Sequence, residues 1–105
     1  MRKIEAAMNR AARNRVNWQS GNTRVEITPE NDALVYLHSN LIGKISQSVV
    51  TLFDGGWQSN TTKSRLNALC YEFAYGTSVF QKNWEWFVST SNGSDDFISG
   101  YEVAI

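Results

Sequence analysis

Two hydrophobic periods divide the chain. Near the start, Ile4, Ala7, Met8, Ala11 and Ala12 recur at the spacing of one helical face, while Arg2, Glu5, Asn9 and Arg13 fall on the others. This predicts an amphipathic helix with a thin stripe of small residues. Such a stripe permits close approach to a neighbour but buries little area, so the helix needs docking for its stability. From Asn22 the period shortens to that of strands: Arg24–Thr28, Leu34–His38, Leu41–Ser46 and Val49–Phe53 are β-rich runs separated by Pro29-Glu30-Asn31-Asp32, Ser39-Asn40 and Gln47-Ser48. The separators are turn chemistry. Connections this short join only antiparallel neighbours, because a parallel crossover needs about a dozen residues or more. An antiparallel β-meander is therefore expected.

Asp54-Gly55-Gly56 ends the meander, and Leu66, Leu69, Cys70, Phe73 and Ala74 form the strongest helical stripe in the chain. A helix is predicted for Thr62–Tyr75, capped at its start by Thr61 or Asn60 and stopped near Gly76. Beyond it, Ser78–Gln81 and Trp84–Ser89 read as a hairpin about Lys82-Asn83, and Tyr101–Ala104 as a final strand. Strands cluster on either side of a helix instead of alternating with several. That pattern is α+β, with an N-terminal helix, a meander, a second helix packed on the sheet and a C-terminal β-hairpin, all within one domain over residues 1–105.

Composition changes this picture little. A hydrophobic fraction of 42% is enough for a core without covalent staples, and the single cysteine, Cys70, permits no internal disulfide. With no apolar signal stretch after Met1 and no run approaching the roughly 20 residues of a membrane span, the expected setting is a cytoplasm. Charge is neutral in total but uneven: Arg2, Lys3, Arg10, Arg13, Arg15 and Arg24 precede most of the acidic residues. The asymmetry suits a solvated helix face, a polyanion or a self-complementary oligomer.

The chemical inventory excludes most enzymes. His38 is the only histidine and falls in an alternating strand, and Cys70 lies on an apolar helical stripe where a thiol serves as a small hydrophobe. One His and one Cys far apart make no zinc set, and no phosphate-loop or dinucleotide glycine pattern occurs. The reading is a non-enzymatic protein with no metal and no cofactor.

One segment stands out: Gly55-Gly56-Trp57-Gln58-Ser59-Asn60-Thr61-Thr62-Lys63-Ser64-Arg65. A glycine turn leads into a helix start that carries hydroxyls, unpaired amides and two bases. Helix N-termini attract anions, whereas Lys63 and Arg65 oppose the helix dipole unless a negative group sits there. Thr61, Thr62, Lys63 and Arg65 are thus candidate phosphate ligands, with Trp57 or Trp86 stacking a base. The alternative is a plain cap with Trp57 plugging the core and both bases in water. In Trp84-Glu85-Trp86-Phe87-Val88, alternation puts Trp84, Trp86 and Val88 on one side and Phe87 on the other. One side belongs to the core, and the other suits base stacking or a subunit interface.

The Gly56-Trp57 turn, Thr61-Thr62-Lys63, Arg65-Leu66-Asn67, Gln81 and Trp86 together resemble a widespread group of small uncharacterised tailed-bacteriophage proteins. The likeness spans about the last two-thirds of the chain. It implies the cytoplasm of an infected host and an accessory role that counters a host or defence process, a class that includes sponges for cyclic nucleotide signals. The leading expectation is binding of a phosphorylated ligand, either a nucleotide signal or nucleic acid. The alternative is a protein-interaction module that inhibits a host enzyme by docking through its aromatic hairpin. A homo-oligomer is expected in either case, because aromatics on both sides of the hairpin exceed what one core hides. Nucleic-acid binding by the basic first helix is disfavoured by the neutral net charge.

Overall fold

A computed structural model describes residues 1–105. The elements are α1 (Lys3–Asn14), β1 (Trp18–Ser20), β2 (Thr23–Ile27), β3 (Ala33–Leu37), β4 (Asn40–Ile45), β5 (Val49–Leu52), α2 (Asn60–Phe73), β6 (Ser78–Lys82), β7 (Glu85–Thr90), β8 (Gly93–Asp96) and β9 (Tyr101–Ala104). Strands β1 to β5 follow one another across a six-stranded sheet, β9 returns to flank β5, and β6-β7-β8 form a second sheet. All pairings are antiparallel. The α+β class and its order of helix, meander, helix and hairpin agree with the sequence reading, and the four meander strands lie within one residue of their expected bounds.

The alternation that predicts these strands also sorts their faces. Val25, Ala33, Val35, Leu37, Ile45, Val50 and Leu52 are buried, while Arg24, Glu26, Tyr36 and Lys44 lie on the uncovered side. Both helices pack on the inner face. Gly43 sets how closely α2 approaches, since a Cβ there would stand 2.7 Å from Leu69 Cδ1. Leu66, Leu69 and Cys70 fill this contact as their stripe predicts, and Phe73 is half-buried beside them.

Three expectations are corrected. Glu5 and Asn9 do not face water: each is 2% exposed, because α1 runs beside α2 and over β2 and is enclosed on more than its apolar stripe. Asn9 Nδ2 donates to Ala68 O at 3.0 Å. Second, His38 is not a strand residue; with Ser39 it forms a tight turn of positive φ (50° and 66°) between β3 and β4. Third, Trp84 leaves the strand alternation, for Asn83 and Trp84 form a matching turn of positive φ (52° and 67°) between Lys82 and Glu85.

Strands β1 and β8 were not foreseen. The second is Gly-Ser-Asp-Asp, exposed throughout, with no apolar residue to mark a face, and it exists because its backbone pairs with β7. The small sheet is pinned to α2 by Asn67, which donates to Val79 O at 2.9 Å and accepts from Val79 N at 2.7 Å. Val79, Trp86 and Val88 turn inward and share one core with the larger sheet, with Phe97 edge-on to Trp86. No helix is long and apolar enough to cross a membrane.

Candidate functional site

The start of α2 is built by the glycine turn before it. Gly55 and Gly56 both have positive φ (69° and 82°), and a Cβ on Gly55 would press to 3.1 Å from Asn40 Cβ and 3.2 Å from Ile42 Cγ2. The turn can therefore lie tight against β4 only with glycine there. Asp54 closes it by accepting from Gly56 N at 2.8 Å. The cap is Ser59, neither Thr61 nor Asn60: its Oγ accepts from Thr62 N at 3.1 Å, and Thr62 Oγ1 donates to Trp57 O at 3.1 Å. The first backbone bond of the helix runs from Lys63 N to Ser59 O, which leaves the Asn60 and Thr61 amides without a protein acceptor.

The structure does not bring together the six residues that sequence reasoning grouped here. Trp57 is 73% exposed and Lys63 is half-buried with no ion pair, so both present themselves at the surface beside Thr61. Thr62 is buried, its hydroxyl committed to the cap. Trp86 is 5% exposed, within the core, and offers no face for stacking.

Arg65 points the other way. Only 3% exposed, it donates from Nη1 to Glu5 Oε2 at 2.8 Å, from Nε to Thr23 Oγ1 at 3.1 Å and from Nη2 to Asn22 Oδ1 at 3.4 Å. Its guanidinium joins α2 to α1 and β2 and does not reach a surface phosphate. The partner carboxylate also accepts from Ser64 Oγ at 2.6 Å and from Arg2 N at 3.1 Å. Burial alone would raise the Glu5 pKa, but the hydrogen bonds from Ser64, Arg65 and the Arg2 amide, with the Arg65 charge, outweigh it and hold the carboxyl below its ordinary value.

What does gather at this end of the molecule is a different set. A hollow of about 330 Å³ lies between the His38 turn, Asp54-Gly55, Trp57 and the capping pair Ser59 and Thr62. A shallower one of about 420 Å³ is lined by Lys63, Gln81, Asn83 and Trp84, so the tip of the β6–β7 hairpin reaches the first turns of α2. Trp84 is 90% exposed. One solvent-facing indole, Trp84 at the hairpin tip, thus stands near Lys63, and a second, Trp57, is carried by the glycine turn that leads into α2.

Three of the remaining bases are engaged within the fold. Arg13 pairs with Glu72, Arg15 Nε donates to Asn31 O at 2.9 Å, and Arg24 lies 4.4 Å over the Tyr36 ring beside Glu26.

A family model described as Kyanoviridae Gp96 protein matches residues 1–104. The chain belongs to that family. The Kyanoviridae Gp96 match makes this a bacteriophage protein, and it takes in both helices and both sheets through Ala104. No curated protein and no solved structure matches it.

In this Gp96 chain the surface residue that sequence reasoning misplaced is Trp84. The signal was present in Lys82-Asn83-Trp84-Glu85: a two-residue hairpin turn of this type favours glycine after asparagine, and tryptophan occupies the slot. Seen as part of a strand, the residue loses that meaning.

Proposed function

We propose that this phage protein is an interaction module that docks onto a protein partner in the infected cell through the end that carries Trp84 and Trp57. The observation that supports this reading is Trp84 itself. A left-handed backbone costs a non-glycine residue about 1–2 kcal/mol, and a bulky side chain there is a genuine outlier. At 90% exposure the indole recovers nothing from packing within the chain. A residue that lowers stability twice, by strain and by exposed apolar area, has a use outside the fold, and tryptophan is the residue most enriched at binding hot spots. Lys63 lines the same hollow as Trp84, and the exposed Trp57 lies on the turn that leads into the helix carrying Lys63.

The test pairs stability with capture. Trp84→Gly restores a favoured turn, so the variant should melt at or above the wild-type temperature and yet lose a partner that tagged wild-type protein retains from infected-cell lysate. Trp57→Ala should weaken the same retention. If a partner stays bound to both variants, the docking end lies elsewhere.

A second reading, binding of a phosphorylated ligand such as a nucleotide signal, and with it the sponge role, rests on the Asn60 and Thr61 amides, the unpaired Lys63 and the exposed Trp57 at one helix start. Burial of Arg65, Thr62 and Trp86 removes half of its original residues, and Asp54 on the wall of the adjoining hollow repels an anion. Heating the protein with a panel of cyclic and linear nucleotides discriminates the two, since a selective ligand raises the melting temperature. A flat panel leaves docking as the reading.

A further inference from the structure

We infer that β9 is a self-association edge, through which two copies of this chain join their six-stranded sheets across a two-fold axis at Val103. Strand β9 ends the sheet, with β5 on one side and no strand on the other. Which of its backbone groups face outward follows from the ladder. Phe53 N donates to Ile42 O at 2.8 Å and Ser46 N to Val49 O at 2.9 Å, so the odd residues of β5 face β4 and Val50 and Leu52 face β9. Their partners are Val103 and Tyr101, and Ile105 N donates to Ser48 O at 2.9 Å in the same phase. Glu102 and Ala104 therefore direct their N–H and C=O groups away from the sheet.

Such an edge is a template for another strand unless something blunts it. The other edges are blunted: β1 has three residues, β8 is an exposed Gly-Ser-Asp-Asp, and β6 ends in Lys82 and has the N–H and C=O of Val79 taken by the Asn67 side chain. Strand β9 has no lysine, proline or bulge. Alongside it runs a groove of about 530 Å³ between the C-terminal end of α2 and the β7–β8 turn, with Phe73, Tyr75, Val103 and Ile105 in its lining. The groove takes inward side chains from a strand added to the edge.

The occupant that matches is β9 of a second copy. Antiparallel pairing centred on Val103 places Glu102 opposite Ala104 of the other copy and Ala104 opposite its Glu102. Both outward residues then enter hydrogen-bonded pairs. On the inner face Val103 meets its own equivalent, and Tyr101 meets Ile105 of the second copy, giving an apolar ladder from side chains that are half-buried or exposed in the single chain. On the outer face each Glu102 lies across from an alanine, so the carboxylates are not directly opposed. A shift of two residues in one direction would set Glu102 against Glu102, which disfavours that register.

Sedimentation velocity on the full chain across micromolar concentrations tests this. Wild type should be dimeric. Ala104→Pro removes an outward N–H that β5 does not use and should raise the dimer Kd about tenfold or more, with the monomer's melting temperature little changed. Ala104→Lys, facing Glu102 of the other copy, should tighten the dimer, and Ala104→Glu should loosen it, without any change of backbone. A protein that stays monomeric throughout overturns the inference, and so does a dimer whose Kd ignores the Lys and Glu substitutions.

Discussion

Replacing Arg65 by methionine tests the interior most directly, because sequence alone would place this residue in water or on a ligand, where its loss is harmless to the fold. In the structure Arg65 is 3% exposed and its guanidinium serves Glu5, Thr23 and Asn22. Methionine keeps much of the stem's volume but leaves the Glu5 carboxylate buried without a counter-charge. Removing one partner of a buried ion pair costs about 3–5 kcal/mol. For a chain of this size that lowers Tm by more than about 10 °C. A double variant, Arg65→Met with Glu5→Leu, removes both charges and should recover much of the loss, since a buried pair replaced by apolar groups is often near neutral. Urea melts of the wild type, both single variants and the double give the coupling directly.

The same network predicts an acid dependence. The folded Glu5 pKa is depressed, so its contribution to stability is fully present above the unfolded glutamate value of about 4.3 and is lost as pH falls through the lower folded value. Without Arg65 that part of the acid limb should flatten. A cost below about 0.5 kcal/mol for Arg65→Met at neutral pH, typical of a solvated surface residue, would refute the reasoning.

Other substitutions probe separate contacts. Gly43→Ala places a methyl 2.7 Å from Leu69 Cδ1 and should cost about 1–3 kcal/mol by thermal melt. Leu69→Ala alone should cost about 2–5 kcal/mol, and the two together should be less destabilising than their sum, because the alanine at 69 vacates the space the new methyl needs. Cys70, whose thiol pKa burial pushes up to about 12, should resist iodoacetamide at mildly alkaline pH until denaturant is added; rapid alkylation of the native protein would contradict its placement. Lys63→Ala should leave stability unchanged or raise it by about 0.3–1 kcal/mol by relieving the clash with the α2 dipole, and a clear loss of stability would reveal a partner for the ammonium within the fold.

Much of the architecture is a local matter, and there the sequence alone was sufficient. Period-two alternation with turn residues between Arg24 and Phe53 defines the meander, and the Leu66, Leu69, Cys70 stripe identifies the buried face of α2, because each depends on neighbours a few residues away. The glycine turn before α2 and the surface positions of Thr61 and Lys63 are legible for the same reason.

Contacts between distant segments decided the rest. Whether Arg65 faces solvent or Glu5 depends on α1 lying against α2, an ion pair that spans sixty residues of sequence. Glu5 and Asn9 look like solvent residues on an amphipathic wheel, yet the small stripe of α1 brings its neighbours so close that adjoining faces are covered too. Strand β8 has no hydrophobic pattern and exists only by pairing with β7, and β9 joins the meander across the whole of α2 and the small sheet. Trp86 and Trp84 share a strand-like motif, but one closes the core and the other stands in water, because the hairpin turns between Lys82 and Glu85. Local patterning encodes the periodicity of each element; the partner that covers each face is set by the packing of the whole chain, and that packing moved Arg65 and Trp86 inside and left Trp57 and Trp84 at the surface.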